Sequence, residues 1–123
     1  MLTTKYETKI NKLGPSVSEF LGEKMFILFG ENAPIELAEY CLLIDVNPVE
    51  GDIVVGDILK MGNKEYSITA VGDAVKKNLV SLGHITLKFD GSQSPELPGT
   101  LYLEEANITA DIEPGSEIQI ISR

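Results

Sequence analysis

The chain contains one histidine and one cysteine, so any chemistry that needs an imidazole must use His84. A neutral imidazole nitrogen attacks phosphorus well near pH 7, which makes phosphoryl transfer the first chemistry to consider. His84 follows Gly83 and shares one face of an alternating stretch with Thr86 and Lys88. On that face Lys88 would act as a charge clamp for a phosphoryl group, and Thr86 and Asp90 are alternatives for the group that orients the ring.

Other roles for His84 are compatible with the same residues. His84 can also be interpreted as a surface histidine that begins a strand and has no chemical role. A motif that consists of a single residue often occurs without the function it suggests. A hydrolase with His84 as general base and Ser81 or Thr86 as nucleophile is a further alternative, although nothing in the spacing fixes the geometry of a triad. The negative end of a preceding helix would also favour imidazolium and oppose a phosphate.

Two stretches of the chain are rich in carboxylates. One surrounds two copies of Gly-Asp-Ile and contains Asp45, Glu50, Asp52 and Asp57. A hard-cation site needs several oxygens within one loop, but this spacing matches no EF-hand, so we expect solvated turns that lead into strands. The other stretch, with Glu31, Glu36 and Glu39, would steer a basic partner. Cys41 lies within an apolar run, which predicts a small core side chain rather than a nucleophile.

The composition narrows the classes of function. Ten Lys and Arg against 19 Asp and Glu give 123 residues a net charge of −9, which disfavours binding to nucleic acid or to anionic lipid. One cysteine excludes an intramolecular disulfide, and no cluster of soft ligands is present for structural zinc. The first residues contain no apolar h-region, so we expect no secretory signal and a cytoplasmic location.

Alternation with a period of two dominates the chain and predicts a mainly β protein. About eight short apolar runs are separated by turn signals such as Gly62-Asn63, which is the pattern of a β-barrel or a sandwich. One clear helix is expected over residues 73–82, with Asp73 as N-cap, Leu82 on the apolar stripe and Gly83 at the left-handed position after the helix. Residues 15–21 and 34–40 are weaker candidates for helical turns. We find no internal boundary and predict a single domain over residues 1–123.

Several segments together resemble the glucitol/sorbitol-specific IIA component of the bacterial phosphotransferase system. These segments are Ala-Pro-Ile-Glu-Leu-Ala-Glu-Tyr-Cys at 33–41, Thr-Ala-Val-Gly at 69–72, Leu-Val-Ser-Leu-Gly-His-Ile-Thr-Leu-Lys-Phe-Asp-Gly at 79–91, Glu-Leu-Pro-Gly-Thr at 96–100 and Ile-Glu-Pro-Gly-Ser at 112–116. The resemblance runs in order over nearly the whole chain. It implies a closed or nearly closed β-barrel of about seven to eight strands with one or two short helices.

The same resemblance implies a function. The chain would be a cytoplasmic phosphoryl carrier that accepts phosphate on His84 from the histidine phosphocarrier protein and passes it to the membrane sugar-permease components. No organic cofactor and no tightly bound metal would be needed, because positioning and charge stabilisation suffice for in-line transfer.

The chain departs from the family pattern in one place. Some members of the family carry histidines just after the Tyr-Cys motif, where the phosphoacceptor is then assigned, whereas residues 41–46 here read Cys-Leu-Leu-Ile-Asp-Val. Either His84 is the acceptor, in which case the chain is a phosphotransferase component, or the chain is a divergent, non-catalytic relative. The second alternative is a regulatory or ligand- or partner-binding β-barrel.

Overall fold

A computed structural model describes residues 3–109 and 112–122. Eight strands close into a barrel, and their bounds are Thr4–Leu13 (β1), Met25–Gly30 (β2), Cys41–Ile44 (β3), Ile58–Met61 (β4), Lys64–Val71 (β5), Ile85–Lys88 (β6), Thr100–Leu103 (β7) and Glu117–Ile121 (β8). A 3₁₀ helix spans Val17–Glu23, and two short α-helices span Ile35–Ala38 (α1) and Val75–Ser81 (α2). The prediction of a mainly β barrel is therefore confirmed.

The strands follow the order β1-β3-β2-β6-β7-β5-β4-β8 around the barrel. Two neighbouring pairs, β2 with β3 and β6 with β7, run parallel, while the remaining pairs are antiparallel. In this order β2 lies between β3 and β6. Gly30 of β2 is opposite Ile44 of β3, and Leu28 of β2 is opposite Ile85 of β6. The carboxyl ends of β2 and β3 and the start of β6 meet at one end of the barrel, which we call the site end.

Period-two alternation places the core inside the barrel. In β6, Ile85 and Leu87 are buried while Thr86 and Lys88 are only half-buried, and the buried Phe89 continues the inward set. Phe89 packs edge-on against the rings of Phe26 and Tyr66, with centroid distances of 6.1 Å and 4.8 Å. This arrangement suits aromatic quadrupoles and fills the barrel interior.

Two details of α2 differ from the prediction. The helix begins after Ala74, and the Asp73 side chain makes no capping hydrogen bond. The Val75 N–H, which an Asp73 cap would engage, donates instead to the Gly72 carbonyl at 3.2 Å, and the Ala74 N–H donates to the Pro98 carbonyl at 2.9 Å. Leu82 is also not part of the apolar stripe: it follows the end of the helix and is 51% exposed.

The predicted turns at Gly83 and Gly62 are confirmed. Gly83 has the left-handed conformation expected after a helix, with φ of +66°, and Gly62 in the β4–β5 turn has φ of +63°. The helical turn expected over residues 34–40 is α1, while the one expected over 15–21 is the 3₁₀ helix, displaced by two residues. Within the described residues no helix is both long and apolar enough to cross a membrane.

The long connection between β3 and β4, residues 45–57, lies at the site end and is tied to β1. The Glu50 N–H donates to the Lys5 carbonyl at 2.8 Å, and the Thr8 hydroxyl donates to the Asp45 carbonyl at 2.8 Å. Ile53 is buried and joins the core. The connection is therefore anchored at several points rather than free at the surface.

Candidate functional site

The register between β2 and β6 places His84 over Phe29. Leu28 pairs with Ile85, so the residues one step further, Phe29 and His84, face each other on the outside of the barrel. Their rings stack with a centroid distance of 4.2 Å and an interplanar angle of 24°. This offset stack fixes the plane of the imidazole and covers Phe29, which is only 9% exposed despite lying on the outward face.

One backbone contact determines the tautomer of His84. The Nδ1 atom lies 3.2 Å from the Leu28 carbonyl oxygen. A carbonyl oxygen can only accept a hydrogen bond, so Nδ1 must carry the proton. In the neutral ring, Nε2 then has the free lone pair, and no described residue donates to it or accepts from it. The half-buried ring thus presents an oriented, unoccupied nitrogen.

Two glycines allow the site end to close around this ring. A methyl group on Gly30 would lie 2.6 Å from Val46 Cγ2 and 2.7 Å from the Leu82 carbonyl oxygen. A methyl group on Gly83 would lie 3.1 Å from the Gly30 nitrogen. The Gly30 N–H donates to that Leu82 carbonyl at 2.9 Å. Glycine at both positions therefore lets the end of β3, the end of β2 and the turn before His84 approach closely.

The negative end of α2 lies before His84, but it repels a phosphoryl group less than a helix end with free carbonyls would. The Asn78 carbonyl accepts the N–H groups of Leu82 and His84 at 2.9 Å and 3.3 Å, and the Leu79 carbonyl accepts the Gly83 N–H at 3.1 Å. The negative end of a helix dipole resides largely on unsatisfied carbonyl groups. Because backbone donors occupy these carbonyls, the repulsion expected from the sequence is reduced.

The supporting residues predicted on the His84 face lie at different distances from it. Thr86 is one pleat along β6, about 7 Å by strand rise, whereas Lys88 is two pleats along, about 13 Å. Thr86 lies opposite Ile27 and Thr100, and Lys88 lies opposite Met25 and Tyr102. The fold brings Thr86 near the ring and leaves Lys88 toward the far end of the strand, and the role of each stays a prediction.

One of the two nucleophiles considered for a hydrolase, Ser81, is engaged elsewhere. The Ser81 hydroxyl donates to the Lys77 carbonyl at 2.8 Å, one turn back in α2. Cys41 is buried, and its thiol donates to the Leu37 carbonyl at 3.0 Å. Burial raises the pKa of the Cys41 thiol to about 11, which keeps it as a neutral thiol, and the prediction of a core residue is confirmed.

The acidic segment does not form a ligand cluster. Asp57 pairs with Lys5 at 2.7 Å, Asp52 pairs with Lys76 at 3.3 Å, and Asp45 accepts a hydrogen bond from Asn11 at 2.7 Å. In the described part of the chain no group of three or more His, Cys, Asp or Glu side chains is arranged to hold a metal ion. The carboxylates are dispersed over separate structural contacts. The expectation of solvated turns is met by the exposed Asp52 but is wrong for Asp57, which is 3% exposed because it pairs with Lys5.

The groups that orient His84 have little signature in the sequence. Phe29 ends an apolar run and gives no local sign that it stacks on an imidazole. The Leu28 carbonyl gives none at all, because a backbone acceptor has no residue type. The glycines at positions 30 and 83 were the available signal, since both positions exclude a side chain for steric reasons.

Comparisons with known proteins agree with this architecture. The family model for the PTS system glucitol/sorbitol-specific IIA component matches residues 5–119. The chain is 37% identical over 121 residues to the PTS system glucitol/sorbitol-specific EIIA components of Shigella flexneri and Escherichia coli (strain K12), and it covers 98% of each.

A solved structure shows the same fold. The PTS system IIA component from Enterococcus faecalis V583 superposes with a TM-score of 0.79 at 28% identity, over 94% of this chain and 98% of that one. Sequence motifs, the closed barrel and these matches lead to one assignment. The chain belongs to the family of glucitol/sorbitol-specific IIA components of the phosphotransferase system.

Proposed function

We propose that this protein is a phosphoryl carrier of a sugar phosphotransferase system and that His84 Nε2 is the atom that carries the phosphoryl group. The single observation that supports this most is the contact between Nδ1 and the Leu28 carbonyl, which leaves Nε2 as the lone-pair nitrogen. Because the chain has no second histidine, a phosphohistidine intermediate can form only here.

The arrangement suits an in-line exchange between two imidazoles. The Nε2 lone pair attacks the phosphorus atom of the donor phosphohistidine, and the P–N bond of the donor breaks, returning its electron pair to the donor ring. The His84 ring then holds the phosphoryl group on Nε2, keeps the proton on Nδ1 and bears a positive charge. The Leu28 carbonyl oxygen stabilises that charge through the bond it already accepts.

The stacked Phe29 contributes by limiting the motion of the ring. An imidazole held in one plane approaches the donor phosphorus along one direction, which lowers the entropic cost of reaching the transition state. Thr86 would orient the phosphoryl oxygens from the next pleat, and Lys88 would attract them over a longer distance. The second transfer, to the membrane sugar-permease components, is the same exchange with the acceptor and donor reversed.

Family membership suggests the partners and the compartment. The donor would be the histidine phosphocarrier protein, the acceptor a sugar-specific permease component, and the exchange would take place in the cytoplasm. A net charge of −9 favours encounter with a basic partner.

One observation favours a second function, that of a non-catalytic relative that binds partners or ligands. In the segment after Tyr40, Cys41, Leu42 and Ile44 are buried, and no side chain there can accept a phosphoryl group on imidazole. A chain that had lost phosphoryl transfer would retain the barrel and this apolar segment. The two functions differ in whether His84 becomes phosphorylated.

The test is incubation of the full chain with phosphoenolpyruvate, the general phosphotransferase enzyme and the histidine phosphocarrier protein, followed by intact-mass analysis. We expect one acid-labile phosphoryl group on the wild type and none on His84→Ala. Phosphorus–proton NMR should assign it to Nε2. Ser81→Ala is the matched control, since its hydroxyl bonds within α2, and it should be phosphorylated like the wild type.

Two outcomes would overturn the carrier function. An unmodified wild type would favour the non-catalytic alternative, and an equal signal on His84→Ala would place the phosphate on another residue. Thr86→Val and Lys88→Ala extend the test. We expect each to slow the transfer without abolishing it, with the larger effect for Thr86 because it lies closer to the ring.

A further inference from the structure

We propose that the end of the barrel opposite His84 holds a binding pocket for a small carboxylate with an apolar body. The pocket is a cavity of about 230 Å³ between the β4–β5 turn, the start of β2 and the segment before β8, and we call it the far-end pocket. Strand β2 begins here with Met25 and Phe26 and finishes at the site end with Gly30. His84 does not line the pocket, so this proposal is independent of the proposed function.

Apolar side chains form the floor of the far-end pocket. Phe26 in β2 and Met61 at the end of β4 line it and are only 2% and 7% exposed. Ile108 and Ile112 are half-buried, pack against the core and also line the cavity. A cavity of about 150 Å³ with apolar walls binds benzene, so this one has room for a ring that carries a short chain.

One cation stands at the rim of the far-end pocket. Lys64 lies opposite Met61 in the β4–β5 hairpin, and alternation places it on the same face of β5 as Tyr66 and the buried Ile68. Lys64 is exposed and lines the pocket. None of the ion pairs among the described residues includes Lys64, so its charge is available to a ligand.

Two neutral side chains add hydrogen-bond donors to the same pocket. Asn63 is exposed and Ser116 is half-buried, and both line the cavity with Lys64. The Gly62 N–H donates to the Glu117 carbonyl at 2.9 Å, which ties the β4–β5 turn to the strand that follows Ser116. An ammonium, an amide and a hydroxyl on one pocket match a carboxylate, because an ionised carboxylate only accepts hydrogen bonds.

The floor of the pocket argues against other classes of anion. A sugar phosphate would place hydroxyl groups against four apolar side chains that offer no strong hydrogen-bond partner, and an unpaired hydroxyl group is costly to bury. Inorganic phosphate would leave the apolar lining in contact with water. A carboxylate on an apolar body satisfies both the floor and the rim.

The test is an NMR titration of the full chain with 3-phenylpropionate. We expect saturable binding with a dissociation constant of about 1 mM or below, and nuclear Overhauser contacts from the ring to the methyl groups of Met61 and Ile108. The neutral 3-phenylpropan-1-ol should bind about threefold to fivefold more weakly, because it lacks the charge that Lys64 attracts. A hexitol phosphate and inorganic phosphate should leave the signals of Met61 and Ile108 unchanged.

Two variants test the rim and the floor separately. Lys64→Gln should weaken the binding of 3-phenylpropionate about threefold to fivefold and leave that of 3-phenylpropan-1-ol unchanged. The matched control is Lys60→Gln, which removes the same charge from the other face of β4, opposite Glu65, and should change neither affinity. Ile108→Trp fills the cavity and should abolish the binding of both phenyl compounds. The spectrum of each variant shows whether it folds, and Ile112→Phe replaces an Ile108→Trp variant that does not.

Several outcomes would overturn the proposal. The pocket is wrong if 3-phenylpropionate fails to saturate, if its Overhauser contacts lie elsewhere, or if it binds a folded Ile108→Trp variant like the wild type. The preference for a carboxylate is wrong if the two phenyl compounds bind equally, if a hexitol phosphate binds as well as they do, or if Lys64→Gln and Lys60→Gln have equal effects. Phosphorylation of His84 is measured separately, so neither proposal depends on the other.

Discussion

Two segments at the same end of the barrel use their polar groups in opposite ways. In the long connection of residues 45–57, three acidic side chains are engaged: Asp57 with Lys5, Asp52 with Lys76 and Asp45 with Asn11. In the short turn of residues 82–84, one polar side chain is held by stacking and by a backbone carbonyl, and its second nitrogen has no partner among the described residues.

The difference shows that the number of reactive groups in a segment says little about function. The connection is rich in carboxylates, which stabilise this end of the barrel. The turn has a single imidazole, which the fold orients while its Nε2 atom has no partner among the described residues. A functional site is better recognised by an oriented polar group that the structure leaves available. We therefore expect substitutions in the first segment to change stability and substitutions around the second to change phosphoryl transfer.

The largest effect is expected for Asp57→Ala, which removes one partner of a buried ion pair. The side chains of Lys5 and Asp57 are 16% and 5% exposed, and Asp57 Oδ2 also accepts the Val54 N–H at 3.0 Å. The substitution leaves the Lys5 ammonium without its carboxylate, with only the Asp52 carbonyl as acceptor, and leaves the Val54 N–H without its partner. We therefore expect a loss of about 3–5 kcal/mol in the free energy of unfolding. Urea denaturation measures it.

A double-mutant cycle of Lys5→Met, Asp57→Leu and their combination then isolates the pair. The combined Lys5→Met and Asp57→Leu variant should lose much less stability than Asp57→Ala, because neither charge is stranded. Phosphorylation of His84 well below the melting temperature should persist in the double variant. If Asp57→Ala costs under about 1 kcal/mol, the connection is not anchored as described and the comparison fails.

The second effect is expected for Gly30→Ala, at the contact between the two segments. The added methyl would lie 2.6 Å from Val46 Cγ2, which can move, and 2.7 Å from the Leu82 carbonyl oxygen, which belongs to the backbone. Relief of this overlap shifts the turn that carries His84. We expect a loss of about 1–3 kcal/mol in stability together with slower phosphoryl transfer, measured by urea denaturation and by the rate of phosphorylation.

The matched control for Gly30→Ala is Gly22→Ala. No atom lies within 4 Å of a methyl group at Gly22, so its stability should change by about 0.5 kcal/mol or less and its phosphorylation rate should be unchanged. Equal rates for both variants would show that the turn is positioned without the Gly30 contact.

Much of this architecture was predictable because it follows from local rules. Alternation placed His84 on the outward face opposite Ile85 and Leu87, and Gly83 and Gly62 have the positive φ values that their turns require. The barrel was predictable from the number and spacing of apolar runs. These features depend on neighbours in sequence, where side-chain period and backbone sterics decide the outcome.

The features that failed, or gave no signal, all depend on partners distant in sequence. Asp73 does not cap α2: the helix begins after Ala74, whose N–H donates to the distant Pro98 carbonyl. Leu82 lies after the end of α2 and is exposed, and its carbonyl accepts the N–H of Gly30 in β2. The tautomer of His84 depends on the Leu28 carbonyl, brought there by strand register. No hairpin turn joins β2 to β6, so no local turn signal sets the register between them.

The smallest effect is expected for Asp52→Asn, and it sharpens the contrast within the connection itself. The side chains of Asp52 and Lys76 are 85% and 46% exposed, and their charged atoms are 3.3 Å apart, so solvent screens most of the attraction. The link from Asp52 to Lys5 uses the Asp52 carbonyl, at 2.6 Å from Lys5 Nζ, and survives the substitution. We expect a change of about 0.5 kcal/mol or less in the free energy of unfolding, with phosphorylation of His84 unaffected. Compared with the loss for Asp57→Ala, this small change would show that burial, rather than the presence of an ion pair, makes a carboxylate important for stability. A loss above about 1 kcal/mol for Asp52→Asn would contradict this conclusion.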